Sequence, residues 1–189
     1  MEVKHIEHND CREIIYTNTS GTTNIEFVEY INYKKLSDKA VTPYKKYDVD
    51  AGYDLTATEI IETDKYIEAK TDIAFEIPKG KVGLLFPRSS ITDMDLTLKN
   101  CVGVIDASFR GGIVFRFSKV YNDLYYEFNH NDTDLINVRS QLIRKPDHYI
   151  TGERVGQIVI IDIPNIELKE VDELSTSARG DNGLGSTGK

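Results

Sequence analysis

Apolar and polar side chains alternate with a period of two at several places along this chain, while a helical period is hard to find. In TDIAFEIPKG (71–80), Ile73, Phe75 and Ile77 alternate with Ala74 and Glu76 until Pro78 and Gly80 stop the run. In GGIVFRFSKV (111–120), Ile113, Phe115 and Phe117 alternate with Val114, Arg116 and Ser118. Successive side chains of a strand point to opposite faces, so both stretches predict strands. QIVIIDI (157–163) is apolar on both faces until Asp162, as a sandwiched strand would be. NIEFVEYINY (24–33) and NIELKEVDEL (165–174) also read as strands. Many short strands between turn signals predict an all-β sandwich or barrel with at most one short helix. That helix is expected after RSS (88–90), where a serine could cap ITDMD.

Two segments look added to a compact core. Residues 1–24 form a polar N-terminal extension, weakly patterned apart from REIIY. Residues 120–151 form a tyrosine-rich, charged insertion between two clear strands, and connections of that length are often functional or mobile. The β domain is therefore expected over 25–178, followed by a flexible glycine-rich arm over 179–189.

Composition narrows the classes. With 189 residues the chain can build one real core. A net charge of −8 excludes a general nucleic-acid backbone binder and leaves a small polyanion, held by a local cationic site. No apolar run is long enough to span a membrane, and the N-terminus lacks the apolar stretch of a signal peptide. Two cysteines fit a reducing compartment, so a cytoplasmic location is expected. The four histidines are scattered, with no metal-ligand spacing.

Five clusters carry residues that chemistry uses and glycines that shape backbone: AGYDL (51–55), GLLFPRSS (83–90), NCVGVIDASFRGG (100–112), GERVGQIV (152–159) and RGDNGLGSTG (179–188). Arg88 and Arg179 are candidate phosphate clamps, because guanidinium forks match phosphate oxygens. Ser89, Ser90, Ser186 and Thr187 stand beside arginine or glycine, where hydroxyls and backbone N–H groups can cradle phosphate. Asp54 and Asp106 sit where strands pass into turns, and a carboxylate there could hold a hydrated magnesium ion or activate a water.

In this order and spacing, from about residue 26 to residue 189, the five clusters resemble the signature motifs of the trimeric dUTP diphosphatases (dUTPases), as in a viral, phage or bacterial member with an insertion between motifs three and four. The resemblance implies a jelly-roll (β-clip) subunit in a homotrimer with shared active sites. It implies hydrolysis of dUTP to dUMP and diphosphate with Mg2+, which keeps uracil out of DNA and supplies dUMP for dTMP synthesis. Asp106 falls on the catalytic aspartate that activates the attacking water. Arg88, Ser89 and Ser90 fall on the phosphate-binding motif, and Gln157 on a residue supporting it. Asp54 falls near the magnesium water shell. Asn100 and the backbone of Val104 and Ile105 fall on the uracil slot, with Val114 nearby. Phe109 stands where a tyrosine usually packs under deoxyribose. Arg179, Gly185, Ser186 and Thr187 fall on the arm that grips the γ-phosphate, and Leu184 replaces the aromatic residue that stacks on uracil. Gly156 replaces a usual alanine, expected to be a small change.

Two alternatives accompany this reading. The dCTP deaminases share the fold and an RSS-like motif, but their catalytic glutamate falls at Arg116, and no glutamate occurs between Phe109 and Tyr126. A regulatory protein could instead dock a protein partner through residues 120–151.

Overall fold

A computed structural model describes residues 2–120 and 148–181. Its strands are, in order, β1 (Glu2–Glu7), β2 (Cys11–Thr17), β3 (Thr23–Glu29), β4 (Asn32–Lys35), β5 (Tyr53–Thr56), β6 (Glu59–Glu62), β7 (Ile67–Lys70), β8 (Ile73–Glu76), β9 (Lys81–Phe86), β10 (Leu96–Leu98), β11 (Gly103–Ile105), β12 (Val114–Lys119) and β13 (Arg154–Asp162). The architecture is all-β and of jelly-roll type. Two four-stranded sheets, ordered β10-β12-β7-β6 and β11-β9-β13-β5, supply most of the core. Leu96, Leu98, Ile67, Ala69, Phe115 and Phe117 come from the first sheet, and Leu55, Leu85, Val155 and Ile158 from the second. Burying each large apolar side chain contributes roughly 1.5–3 kcal/mol, so this interior is the main favourable term. Among the described residues no helix is long and apolar enough to cross a membrane.

The alternation in 113–117 emerges as expected, with Ile113, Phe115 and Phe117 buried and Val114 and Arg116 exposed. Phe117 also packs on the buried Tyr149, with ring centroids 5.2 Å apart. Gly156 is not a small change. A Cβ there would lie 2.2 Å from Cε1 of Phe115, so the phenylalanine ring occupies the space that a side chain on β13 would need.

Several expectations are corrected. Ser89–Asp93 form a single 3-10 turn capped by Arg88, and no serine side chain caps it. Beyond Ile158 the run at 157–163 is only partly covered: Ile161 is 43% exposed, since no second layer among the described residues covers the strand end. Residues 165–174 form no strand. Their apolar side chains project into solvent, with Leu168 98% exposed, because a strand needs a ladder partner and none lies beside them among the described residues. At the N-terminus, β1, β2 and β3 make a separate antiparallel sheet over Glu2–Glu29. Among the described strands, β3 pairs with β2 and not with either four-stranded sheet.

Candidate active site

The three clusters AGYDL, GLLFPRSS and GERVGQIV are far apart in the chain, yet β13 brings them together. β13 lies between β9 and β5, so Gln157 pairs with Phe86 on one side and with Asp54 on the other. Phe86 leads through Pro87 into Arg88, which places Arg88 at the Asp54 carboxylate. Arg88 Nε donates to Asp54 Oδ1 at 3.2 Å, and Arg154 Nη1 donates to Asp54 Oδ2 at 2.9 Å. The carboxylate thus sits between two guanidiniums, both of its oxygens engaged and its side chain only 19% exposed. Arg154 also lies 5.6 Å over the Tyr44 ring. The Gln157 amide donates to the Pro87 carbonyl at 3.4 Å, a bond that braces the residue before Arg88.

Ser89 is exposed at the start of the 3-10 turn. Ser90 lies beside the buried Tyr149 hydroxyl, which has no hydrogen-bond partner of good geometry among the described residues. Burial pushes the Tyr149 phenol up, and Ser90 and the Arg88 charge oppose that rise.

A second group gathers at the other sheet edge. A cavity of about 490 Å³ is lined by Asn100, Ile105, Phe109 and Val114, together with Lys99 and Arg116. β11 is the edge strand of its sheet, pairing Val104 with Leu84 and Ile105 with Gly83 of β9. Among the described residues, one row of its backbone N–H and C=O groups therefore stays outside the ladder, as a flat hydrogen-bonding partner needs. Asn100 and Cys101 form the tight turn into this strand, with Cys101 at φ 59°. Phe109 sits against Gly111, where a Cβ would meet the ring at 2.6 Å, so the glycine makes room for it. Asp106 follows β11 directly. Its carboxylate is exposed and has no partner among the described residues, and the turn is closed by Phe109 N–H donating to the Asp106 carbonyl at 3.0 Å.

Of the residues expected from the sequence, Asp54, Arg88 and Gln157 meet at one place, with Ser89 and Ser90 following Arg88, while Asn100, Ile105, Phe109 and Val114 line another, with Val104 and Asp106 flanking Ile105 in the chain. Arg179 lies on the exposed C-terminal segment. Leu184, Gly185, Ser186 and Thr187 lie outside the described residues, as does most of the insertion expected at 120–151. Arg154 carried no role in the sequence reading although it stands inside GERVGQIV. Only the pairing of β13 with β5 reveals that it faces Asp54. Arg116, at the place of the deaminase glutamate, is paired with Glu68 at 2.8 Å and stacked 5.0 Å over Tyr66.

Fold and site together describe an all-β protein in which two arginines clasp Asp54 and a separate cavity opens beside β11. Residues 38–131 match the dUTPase family model. The deoxyuridine 5'-triphosphate nucleotidohydrolase of Tropheryma whipplei is 34% identical over 151 residues, covering 78% of this chain and 89% of the relative. The enzyme of the same description from Arabidopsis thaliana is 31% identical over 167 residues, covering 84% and 83%. Among solved structures, the dUTPase of Staphylococcus bacteriophage 80alpha with dUPNHPP is similar at a TM-score of 0.65 and 30% identity, covering 85% of this chain and 99% of that one. The dUTPase from phage phi11 of S. aureus, described with a species-specific insert, is similar at 0.61 and 26%, covering 79% and 100%. The chain belongs to the dUTPase family, and as a member it is a hydrolase of nucleotide metabolism.

Proposed function

We propose that this chain hydrolyses dUTP to dUMP and diphosphate in a homotrimer whose active sites are shared between copies. The observation that carries the shared site is the separation of its two halves. Ile105, beside Asp106, pairs with Gly83, whereas Arg88 lies five residues on, past the far end of β9 in extended backbone. At ~3.3 Å per residue that is about 17 Å, too far for one carboxylate to serve the phosphates that Arg88 holds. A second copy can supply the missing half. The exposed apolar residues Ile166, Leu168 and Leu174 support the same view, since an arm crossing onto a neighbour would bury them.

In this mechanism Asp106 accepts a proton from the water that attacks the α-phosphorus in line, its lone pairs being open to that water. Arg88, Ser89 and Ser90 bind the phosphate chain and take up charge that develops on the leaving diphosphate. Gln157 and Asp54 hold Arg88 in place. Arg179, Gly185, Ser186 and Thr187 close over the γ-phosphate, and Leu184 covers the base. Asn100 and the free edge of β11 at Val104 and Ile105 read uracil. Cytosine presents the reverse donor–acceptor pattern and would leave buried groups unpaired. Phe109 packs under deoxyribose, excluding a 2′-hydroxyl.

The residues fit a magnesium ion carried on the phosphate chain rather than held in a protein cage. No cluster of three or more potential ligands occurs among the described residues, and Asp54, with two of its roughly four lone-pair sites taken by arginines, can still accept from a metal-bound water. When bound, the ion withdraws charge from the phosphate oxygens.

Diphosphate release measured with dUTP, dCTP, dTTP and UTP in the presence of Mg2+ tests the reaction. Release from dUTP alone is expected, together with a solution mass three times that of the 21.4 kDa chain. Equal release from all four nucleotides would reject the uracil slot, and an active monomer would reject the shared site. Within this reading, Leu184→Phe should lower KM for dUTP severalfold by restoring an aromatic face, a gain of about 1 kcal/mol. An unchanged KM would mean that the base is held elsewhere.

A further inference from the structure

We propose that Lys45 and Lys46 form a cationic wall for the phosphate chain, in the cavity they share with Asp54 and Gln157, and bind its diphosphate end. The inference rests on the reaction proposed above and adds two residues that none of the five motifs contains. A cavity of about 200 Å³ is lined by Tyr44, Lys45, Lys46, Asp50, Asp54 and Gln157, so the lysines face the same space as the phosphate-supporting cluster. Their placement is built. Tyr44 and Asp54 form an antiparallel bridge, with Tyr44 N–H donating to the Asp54 carbonyl at 3.0 Å and Asp54 N–H to the Tyr44 carbonyl at 2.7 Å. The loop that follows is closed by Asp50, whose carboxylate accepts from Tyr47 N–H at 3.0 Å.

The charges are the deciding feature. Asp54 is already paired with both Arg88 and Arg154. Lys45 Nζ instead lies 4.5 Å over the Tyr53 ring and Lys46 Nζ 5.0 Å over the Tyr47 ring, and neither has a carboxylate within ion-pair distance among the described residues. An aromatic face holds an ammonium without neutralising it. Of the two carboxylates that line the cavity, Asp54 is neutralised by its arginines and Asp50 closes its own loop, so Lys45 and Lys46 are the cations left for an anion there. Two neighbouring ammonium groups without a carboxylate partner attract a polyanion, and diphosphate or the β- and γ-phosphates of a nucleotide have the charge to engage both.

The test uses the full-length protein and inorganic diphosphate. Calorimetric binding is compared for the wild type, Lys45→Met/Lys46→Met and Lys45→Arg/Lys46→Arg, alongside dUTP kinetics at several salt concentrations. Losing two charge-assisted contacts should weaken diphosphate binding and raise KM by about tenfold or more and flatten the salt dependence, while the arginine pair retains most binding. A methionine double variant with wild-type thermal stability, unchanged diphosphate affinity and unchanged KM would overturn the inference. Loss of binding in the arginine pair as well, with the fold intact, would also count against it, since the charge would then not be the cause. If the wild type does not hydrolyse dUTP, the proposed reaction fails, and the diphosphate arm still decides whether the lysines bind the anion.

Discussion

Asp106→Asn is expected to lower kcat for dUTP by about 10²–10⁴, the usual contribution of a positioned general base. Asparagine keeps the size and shape of the side chain but cannot accept the proton of the attacking water. The fold should not notice the change. Asp106 is exposed, its carboxylate has no partner among the described residues, and the turn after β11 is closed by its backbone carbonyl. The melting temperature and the KM for dUTP should therefore stay near wild type while kcat collapses. Turnover at the wild-type rate in this variant would remove Asp106 from the mechanism. A loss of activity that tracked a loss of stability would show a structural role instead.

The second large effect belongs to Gly156 and Phe115. Gly156→Ala forces a methyl group to within 2.2 Å of the Phe115 ring, which is itself 1% exposed and packed in the core. Overpacking of this kind destabilises by about 1–3 kcal/mol. Phe115→Ala, which empties the centre of the sandwich, should cost about 3–5 kcal/mol. The informative variant is the pair Gly156→Ala with Phe115→Leu, since the smaller side chain vacates the space that the new methyl needs. Its destabilisation should fall short of the sum of the single changes by about 0.5–3 kcal/mol. Urea unfolding midpoints at one fixed protein concentration measure this, because the stability of an assembly depends on concentration. Strict additivity would show that the two residues do not compete for the same volume.

Gly156 also illustrates where the sequence stops being legible. A glycine in place of alanine looks minor in one dimension, since the residue that fills the missing Cβ is Phe115, forty-one positions away. The same holds for Arg154. It stands in a recognisable cluster, but its partner Asp54 is a hundred residues distant and meets it only through the pairing of β13 with β5. Lys45 and Lys46 belong to no motif at all. What marks them is their cavity and the lack of a carboxylate beside them, and neither can be read from spacing. Residues 165–174 fail in the opposite direction: their composition suits a strand, but a strand exists only where another backbone accepts its hydrogen bonds.

The sequence by itself determined the all-β class, the burial of Phe115 and Phe117, and the candidate chemistry of Asp106, Arg88 and Gln157. Each follows from local rules: side chains alternate across a strand, and carboxylates and guanidiniums keep their chemistry wherever they sit. Only the tertiary structure decided that Asp54 is clasped by two arginines, that Gly156 yields its space to Phe115, and that Asp106 and Arg88 stand at separate places on one chain. Those facts depend on which strands pair and in what register, and pairing is set by contacts between residues far apart in sequence, which period and composition do not encode.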